Sequence, residues 1–125
     1  MYLFDTDILI DYLRLHKPAI LLLDKLKKEE RHIAYITQFE LIKGCKKKIQ
    51  EQRIHFFLKH FTILPMDGKL SKKALGLYKV CRWGAHVDIP DTFIAATALI
   101  HKLPLFTRNI KHYRNIPDLV FEKPY

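Results

Sequence analysis

The segment from Phe93 to Ile100 is apolar on nearly every side of a helix axis: Phe93, Ile94, Ala95, Ala96, Ala98, Leu99 and Ile100 are interrupted by Thr97 alone. Such a helix has no face to offer water, so other elements must enclose it. It opens at Ile89-Pro90-Asp91, where proline in the first turn loses no hydrogen bond. What encloses it is indicated by short runs of strand length elsewhere in the chain. Tyr2 to Phe4, His32 to Ile36, Thr62 to Leu64 and Leu105-Phe106 read as strands, and Leu119 to Phe121 as an additional edge strand.

Between these runs the apolar period is helical. Ile8, Leu9, Tyr12 and Leu13 define a first helix, with Asp7 as its N-cap, and Pro18 opens a second that carries Ile20 to Leu23 and Leu26. The two form a hairpin. Four consecutive apolar residues cover more of a helix than one buried stripe needs, which leaves surface for a partner or for a core pocket. Thr37-Gln38-Phe39-Glu40 has the form of a capping box, with Thr37 as N-cap and Glu40 reaching back to it. A basic helix from about Lys46 presents Ile54, Phe57, Leu58 and Phe61. Pro65-Met66-Asp67 then precedes an amphipathic helix bearing Leu70, Ala74, Leu77, Tyr78 and Cys81, which ends near Gly84. Strands alternating with helices imply an α/β sandwich with a parallel sheet.

A chain of 125 residues is expected to form one domain, 1–125. The longest apolar run, Ala19 to Leu23, is far too short to span a bilayer, and the first residues lack a signal-peptide pattern, so a cytoplasmic protein is expected. Cys45 and Cys81 read as free thiols. The formal charge is +9, from 22 Lys and Arg against 13 Asp and Glu. Lys46, Lys47, Lys48 and Arg53 form one basic cluster, and Lys69, Lys72, Lys73, Lys79 and Arg82 another. Each cluster alone is a solvated helix face; the excess over the whole chain favours a polyanionic partner such as RNA.

Against that basic background, the acids stand at the places where strands hand over to helices. Asp5 follows the first strand, Glu40 lies in the first turn after the second, Asp91 opens the apolar helix, and Asn109 follows the Leu105-Phe106 strand. In an open parallel sheet such positions converge beyond the carboxyl ends of the strands. Singly, each acid has a capping or dipole explanation. Together they form an oxygen-rich set suited to Mg²⁺ or Mn²⁺, with Asn109 offering only a neutral oxygen. Thr6 and Thr107 are candidates to orient a metal-bound water, although hydroxyls in such turns commonly bond backbone. Asp7 and Asp88 read as helix caps that support the site from behind. The seven histidines, His16, His32, His55, His60, His86, His101 and His112, show no metal spacing and read as surface or core residues. The phosphate-loop, zinc-ribbon and α/β-hydrolase motifs are absent.

The opening Tyr-Leu-Phe-Asp-Thr-Asp, the segment Thr-Gln-Phe-Glu-Leu-Ile-Lys-Gly, the segment Asp-Thr-Phe-Ile-Ala-Ala-Thr-Ala-Leu, and Leu-Phe-Thr-Arg-Asn with Tyr113 downstream occur in this order along the whole chain. In that order and spacing they resemble a PIN domain of the VapC type, the toxin half of toxin–antitoxin pairs. The resemblance implies a three-layer PIN-like sandwich around a mainly parallel sheet of four to five short strands. It implies a Mg²⁺- or Mn²⁺-dependent endoribonuclease, with Asp5, Glu40 and Asp91 as metal-site acids and Asn109 in a fourth position where similar proteins carry Asp or Asn. It also implies a homodimer, and an antitoxin that lays a helix or tail across the active-site groove and the first helical hairpin.

Two other readings compete. Asp5-Thr6-Asp7 also resembles the nucleophile turn of haloacid-dehalogenase-like phosphatases, with Asp5 attacking phosphorus. Alternatively, the chain is a catalytically silent module that binds RNA or protein, its site weakened by Asn109.

Overall fold

The computed structural model describes residues 1–84 and 87–125, so His86 lies outside the described residues. The chain starts with β1 (Tyr2–Phe4) and the helical hairpin α1 (Thr6–Leu13) and α2 (Lys17–Asp24). A 3-10 turn leads into β2 (Arg31–Ala34), α3 (Tyr35–Lys43), α4 (Lys48–Leu58) and β3 (Thr62–Leu64). The second half runs α5 (Gly68–Cys81), α6 (Ile89–His101), β4 (Leu105–Phe106), α7 (Ile110–Tyr113) and β5 (Phe121–Glu122). The strands lie in the order β3-β2-β1-β4-β5, and every ladder is parallel. The mainly parallel sheet expected from the sequence is therefore wholly parallel.

Side chains alternate across this sheet. Leu3 and Leu105, paired across β1 and β4, face a core built with Leu70, Ala74 and Leu77 of α5 and Ile94 and Ala95 of α6. The next pair, Phe4 and Phe106, faces the opposite core with Ile8, Leu9, Leu23, Ile54 and Leu58. Helices thus cover both faces of the sheet, giving three layers. The apolar α6 is enclosed as its sequence demands: Ile94, Ala95 and Ala96 are fully buried, and the alanines let it lie close to its neighbours. In the hairpin, α2 buries Ala19 and Leu23 but leaves Leu21 at 51% exposure, so the surplus apolar residues are only partly absorbed. No helix among the described residues is long and apolar enough to cross a membrane.

Three boundaries differ from the sequence expectation. The strand expected over His32 to Ile36 stops at Ala34, because its last partner is Leu64 and Pro65 follows there without an N–H to extend a ladder. The backbone turns into α3 at Tyr35. α4 starts at Lys48 rather than Lys46, where the Gln50 side chain accepts hydrogen bonds from the backbone N–H groups of Lys46 and Lys47. The edge strand lies at Phe121–Glu122 instead of Leu119 to Phe121, although Val120 already accepts a bond from Leu105 N.

Candidate active site

β1 is central, and the chain crosses from β3 at one edge back to β4 on its other side, so a crevice opens at the carboxyl end of β1. A cavity of about 420 Å³ lies there, lined by Asp5, Thr6, Asp7, Glu40, Asp88, Asp91 and Asn109, all singled out from the sequence. Lys43 and His112 also line it.

Asp5 is the most constrained of the acids. Its backbone N–H still pairs with Phe106, which keeps it in extended conformation and makes it the N-cap of α1, its side chain accepting from Thr6 N at 2.8 Å. The other carboxylate oxygen accepts from the Thr107 hydroxyl at 2.7 Å. Asp5 is 4% exposed and has no cationic partner among the described residues. Burial pushes its carboxyl up to about 8, the Asp7 charge adds to the rise, and the Thr107 hydrogen bond opposes it.

Asp7 is not the N-cap expected of it, since that position belongs to Asp5. One Asp7 oxygen accepts from Arg108 N at 2.8 Å, and the other, Oδ1, is buried with no hydrogen-bond partner. The expected capping box of Thr37 and Glu40 is also absent. Thr37 lies inside α3, fully buried, with its hydroxyl 3.2 Å from that of Thr6. Glu40 instead accepts from the Thr6 hydroxyl at 2.6 Å. Burial raises the Glu40 carboxyl, Thr6 opposes the rise, and the Asp91 charge adds to it. The Thr6 and Thr107 hydroxyls therefore each hold a carboxylate.

Asp91, in the first turn of α6, accepts from Asp88 N at 3.2 Å and from the Tyr113 hydroxyl at 3.3 Å. Asp88 is the N-cap of α6, as its sequence position suggests. His112 Nδ1 stands 3.2 Å from Asp91. Burial raises the Asp91 carboxyl, while the Asp88 N–H and His112 pull it down. Asn109 precedes α7, its backbone N–H donating to the Thr107 hydroxyl at 3.0 Å and its side chain capping nothing.

Two ionisable cavity residues were given no site role by the sequence reading. His112 was read as a surface or core histidine, although it lies three residues after Asn109, the spacing that puts two side chains on one helix face. Lys43 stands likewise three residues after Glu40 and lowers its carboxyl.

The donors are carboxylate and amide oxygens, which suit Mg²⁺ or Mn²⁺. Among the described residues no three His, Cys, Asp or Glu form a ready-made metal cage. A small ion that keeps several waters and takes only one or two protein carboxylates needs no such cage. The burial of Asp5 without a cationic partner among the described residues and the orphaned Asp7 Oδ1 fit the presence of a hard cation in this cavity. Each oxygen of Asp5 accepts one hydrogen bond, which leaves a lone pair on each for a cation.

The sequence pattern of the PIN domain matches residues 2–117. The chain belongs to the PIN-domain family. This PIN domain is 32% identical over 117 residues to Ribonuclease VapC1 of Methanocaldococcus jannaschii, covering 93% of this chain and 81% of that one. It is 31% identical over 133 aligned positions to Ribonuclease VapC19 of Mycobacterium tuberculosis, covering both chains in full. Among solved structures, a toxin–antitoxin complex from Klebsiella pneumoniae contains a chain with a TM-score of 0.82 at 34% identity, covering 100% of this PIN domain and 98% of that chain. FitAcB from Neisseria gonorrhoeae matches with a TM-score of 0.80 at 25% identity. The three-layer PIN architecture implied by the sequence motifs is thus the observed one.

Proposed function

We propose that this PIN domain, acting as a single unit over residues 1–125, is a Mg²⁺- or Mn²⁺-dependent endoribonuclease and the toxin of a toxin–antitoxin pair. The observation that carries this reading is the oxygen-lined cavity in which Asp5 is buried without a cation. Asp5, Glu40 and Asp91 would hold the metal, with Asn109 adding a neutral oxygen. When bound, the ion supplies an activated water and charge neutralisation at the phosphate.

The chain's own residues prepare that site. Thr107 and the Thr6 N–H fix the two oxygens of Asp5, and the Thr6 hydroxyl fixes Glu40. Tyr113, the Asp88 N–H and His112 hold Asp91. Such partners set the direction of the acids' lone pairs. Asp7 adds negative charge behind Asp5. The net charge of +9 favours RNA as the polyanion. The relatives named as ribonucleases and the neighbour solved as a toxin–antitoxin complex support the same reading. By the same analogy the partners are a cognate antitoxin over the active-site groove and the α1–α2 hairpin, where Leu21 is exposed, and a second copy of the chain. The setting is the cytoplasm.

The test is sequencing of RNA ends after expression of the wild type beside Asp5→Asn. New ends that appear with the wild type, require divalent metal when the reaction is repeated with purified protein, and vanish in Asp5→Asn are the expected result. Identical ends from both proteins would remove the assignment.

A further inference from the structure

A second groove, of about 410 Å³, runs between α1, α3 and α4. Ile10 and Glu40 line both this groove and the acidic cavity, so the two adjoin. Arg14, at the end of α1, and Arg53, on α4, line the groove, and both are exposed. Neither is in an ion pair among the described residues, where the only pairs are Arg108 with Asp11 and His112 with Asp91. Gln50 also lines the groove; its amide oxygen is taken by Lys46 N and Lys47 N, which leaves its NH₂ as a donor. Glu40 supplies the groove's one carboxylate, and the Thr6 hydroxyl already engages it.

Two free guanidinium groups and an amide donor beside a site crowded with carboxylates make a recognisable electrostatic pattern. The acids of the cavity repel the phosphates on either side of a scissile bond, so a bound strand needs cations just beyond them. Guanidinium forks match phosphate oxygens in pairs. Arg14 alone has a simple explanation, because a cation at the end of a helix complements its dipole. Arg53 lies in the interior of α4 and has no such explanation.

We propose that Arg14 and Arg53 grip phosphates of the RNA strand beyond the scissile bond, which makes the groove between α1 and α4 a strand-binding subsite. This rests on the ribonuclease reading above. The residues bind substrate and take no part in bond cleavage.

The experiment measures metal-dependent cleavage of single-stranded oligoribonucleotides of increasing length, cut from a sequence the wild type cleaves. Arg14→Gln/Arg53→Gln is compared with the wild type and with Lys72→Gln/Lys79→Gln, which removes equal charge from exposed positions of α5. On long substrates the arginine variant should raise KM about tenfold with kcat unchanged, the mark of lost uniform binding. The salt slope of its RNA affinity should fall by about 1.4, for two single-strand phosphate contacts. On the shortest cleavable substrate the variant should match the wild type. Matching melting curves establish that the fold is intact.

An arginine variant that behaves as wild type at every length overturns the subsite. An equal loss in the α5 control does so too, since general charge then suffices, and so does a variant that cleaves RNA normally but loses only an acidic protein partner. A wild type that cleaves no RNA is a different failure, read from the wild-type reaction alone; it removes the ribonuclease reading and this subsite with it.

Discussion

Thr107 and Asp5 are separated by 102 positions in the chain, yet the hydroxyl of one donates to the carboxylate of the other at 2.7 Å, and both are buried. The β1–β4 ladder brings them together, and the bond fixes the acid that burial penalises most.

Asp5 makes the metal-free protein sensitive to pH. Its folded-state value of about 8 lies above the ordinary 3.8, so between those values the folded chain retains a proton that the unfolded chain has released. Its contribution to stability is therefore greatest below about pH 4 and is lost as pH rises toward 8. Melting in EDTA should show this decline, and Asp5→Asn should flatten it. At pH 8 the variant should be more stable by on the order of 1–2 kcal/mol while inactive, as expected where function is maintained at a cost to stability. A variant less stable than the wild type at pH 8 would contradict the burial penalty assigned to the Asp5 carboxylate.

Thr107→Val keeps the shape of the side chain and removes the hydroxyl that donates to Asp5 and accepts from Asn109 N. Leaving those groups without a partner should cost about 1–3 kcal/mol. Divalent-metal affinity and cleavage should fall by roughly 10–100-fold. Calorimetric titration with Mn²⁺ beside the melting curve checks both, and unchanged metal affinity would show that Thr107 does not orient the acid.

His112→Ala removes a group that pulls the Asp91 carboxyl down. Asp91 should then hold its proton to higher pH, and the acid limb of the pH profile of kcat/KM should move upward. A profile that stays in place or moves to lower pH would show that the contact at 3.2 Å does not bear on Asp91.

Asn109→Asp adds a negative charge at the cavity rim. Mn²⁺ should bind more tightly while the metal-free melting temperature at neutral pH falls, because the new carboxylate attracts the cation and repels the other acids. Titration and melting in EDTA measure the two effects separately. Weaker Mn²⁺ binding would place the Asn109 side chain outside the reach of the metal.

The alternation of strands and helices could be read in the sequence because periods of two and 3.6 are local properties, and α6 announces its burial by having no polar face. The caps were less legible. Asp5 and Asp7 flank Thr6 symmetrically, and only the bond from Asp5 N to Phe106, made across the sheet, keeps Asp5 extended and so makes it the cap. Thr37 and Glu40 have the spacing of a capping box, but β2 runs out of partners at Leu64 and α3 starts early enough to carry Thr37 inside the helix. His112 carried no motif, and Lys43 lay inside one without a role of its own, since their importance lies in the cavity they share with residues from other elements.

By itself the sequence determined the kinds of element, their order, and the acids that stand where strands end, since each depends on neighbouring residues. Tertiary structure alone decided which acid is buried, which hydroxyl holds it and which cations face the cavity. Those properties come from parallel pairing of strands far apart in the chain, and charge has its largest effect where that pairing excludes water.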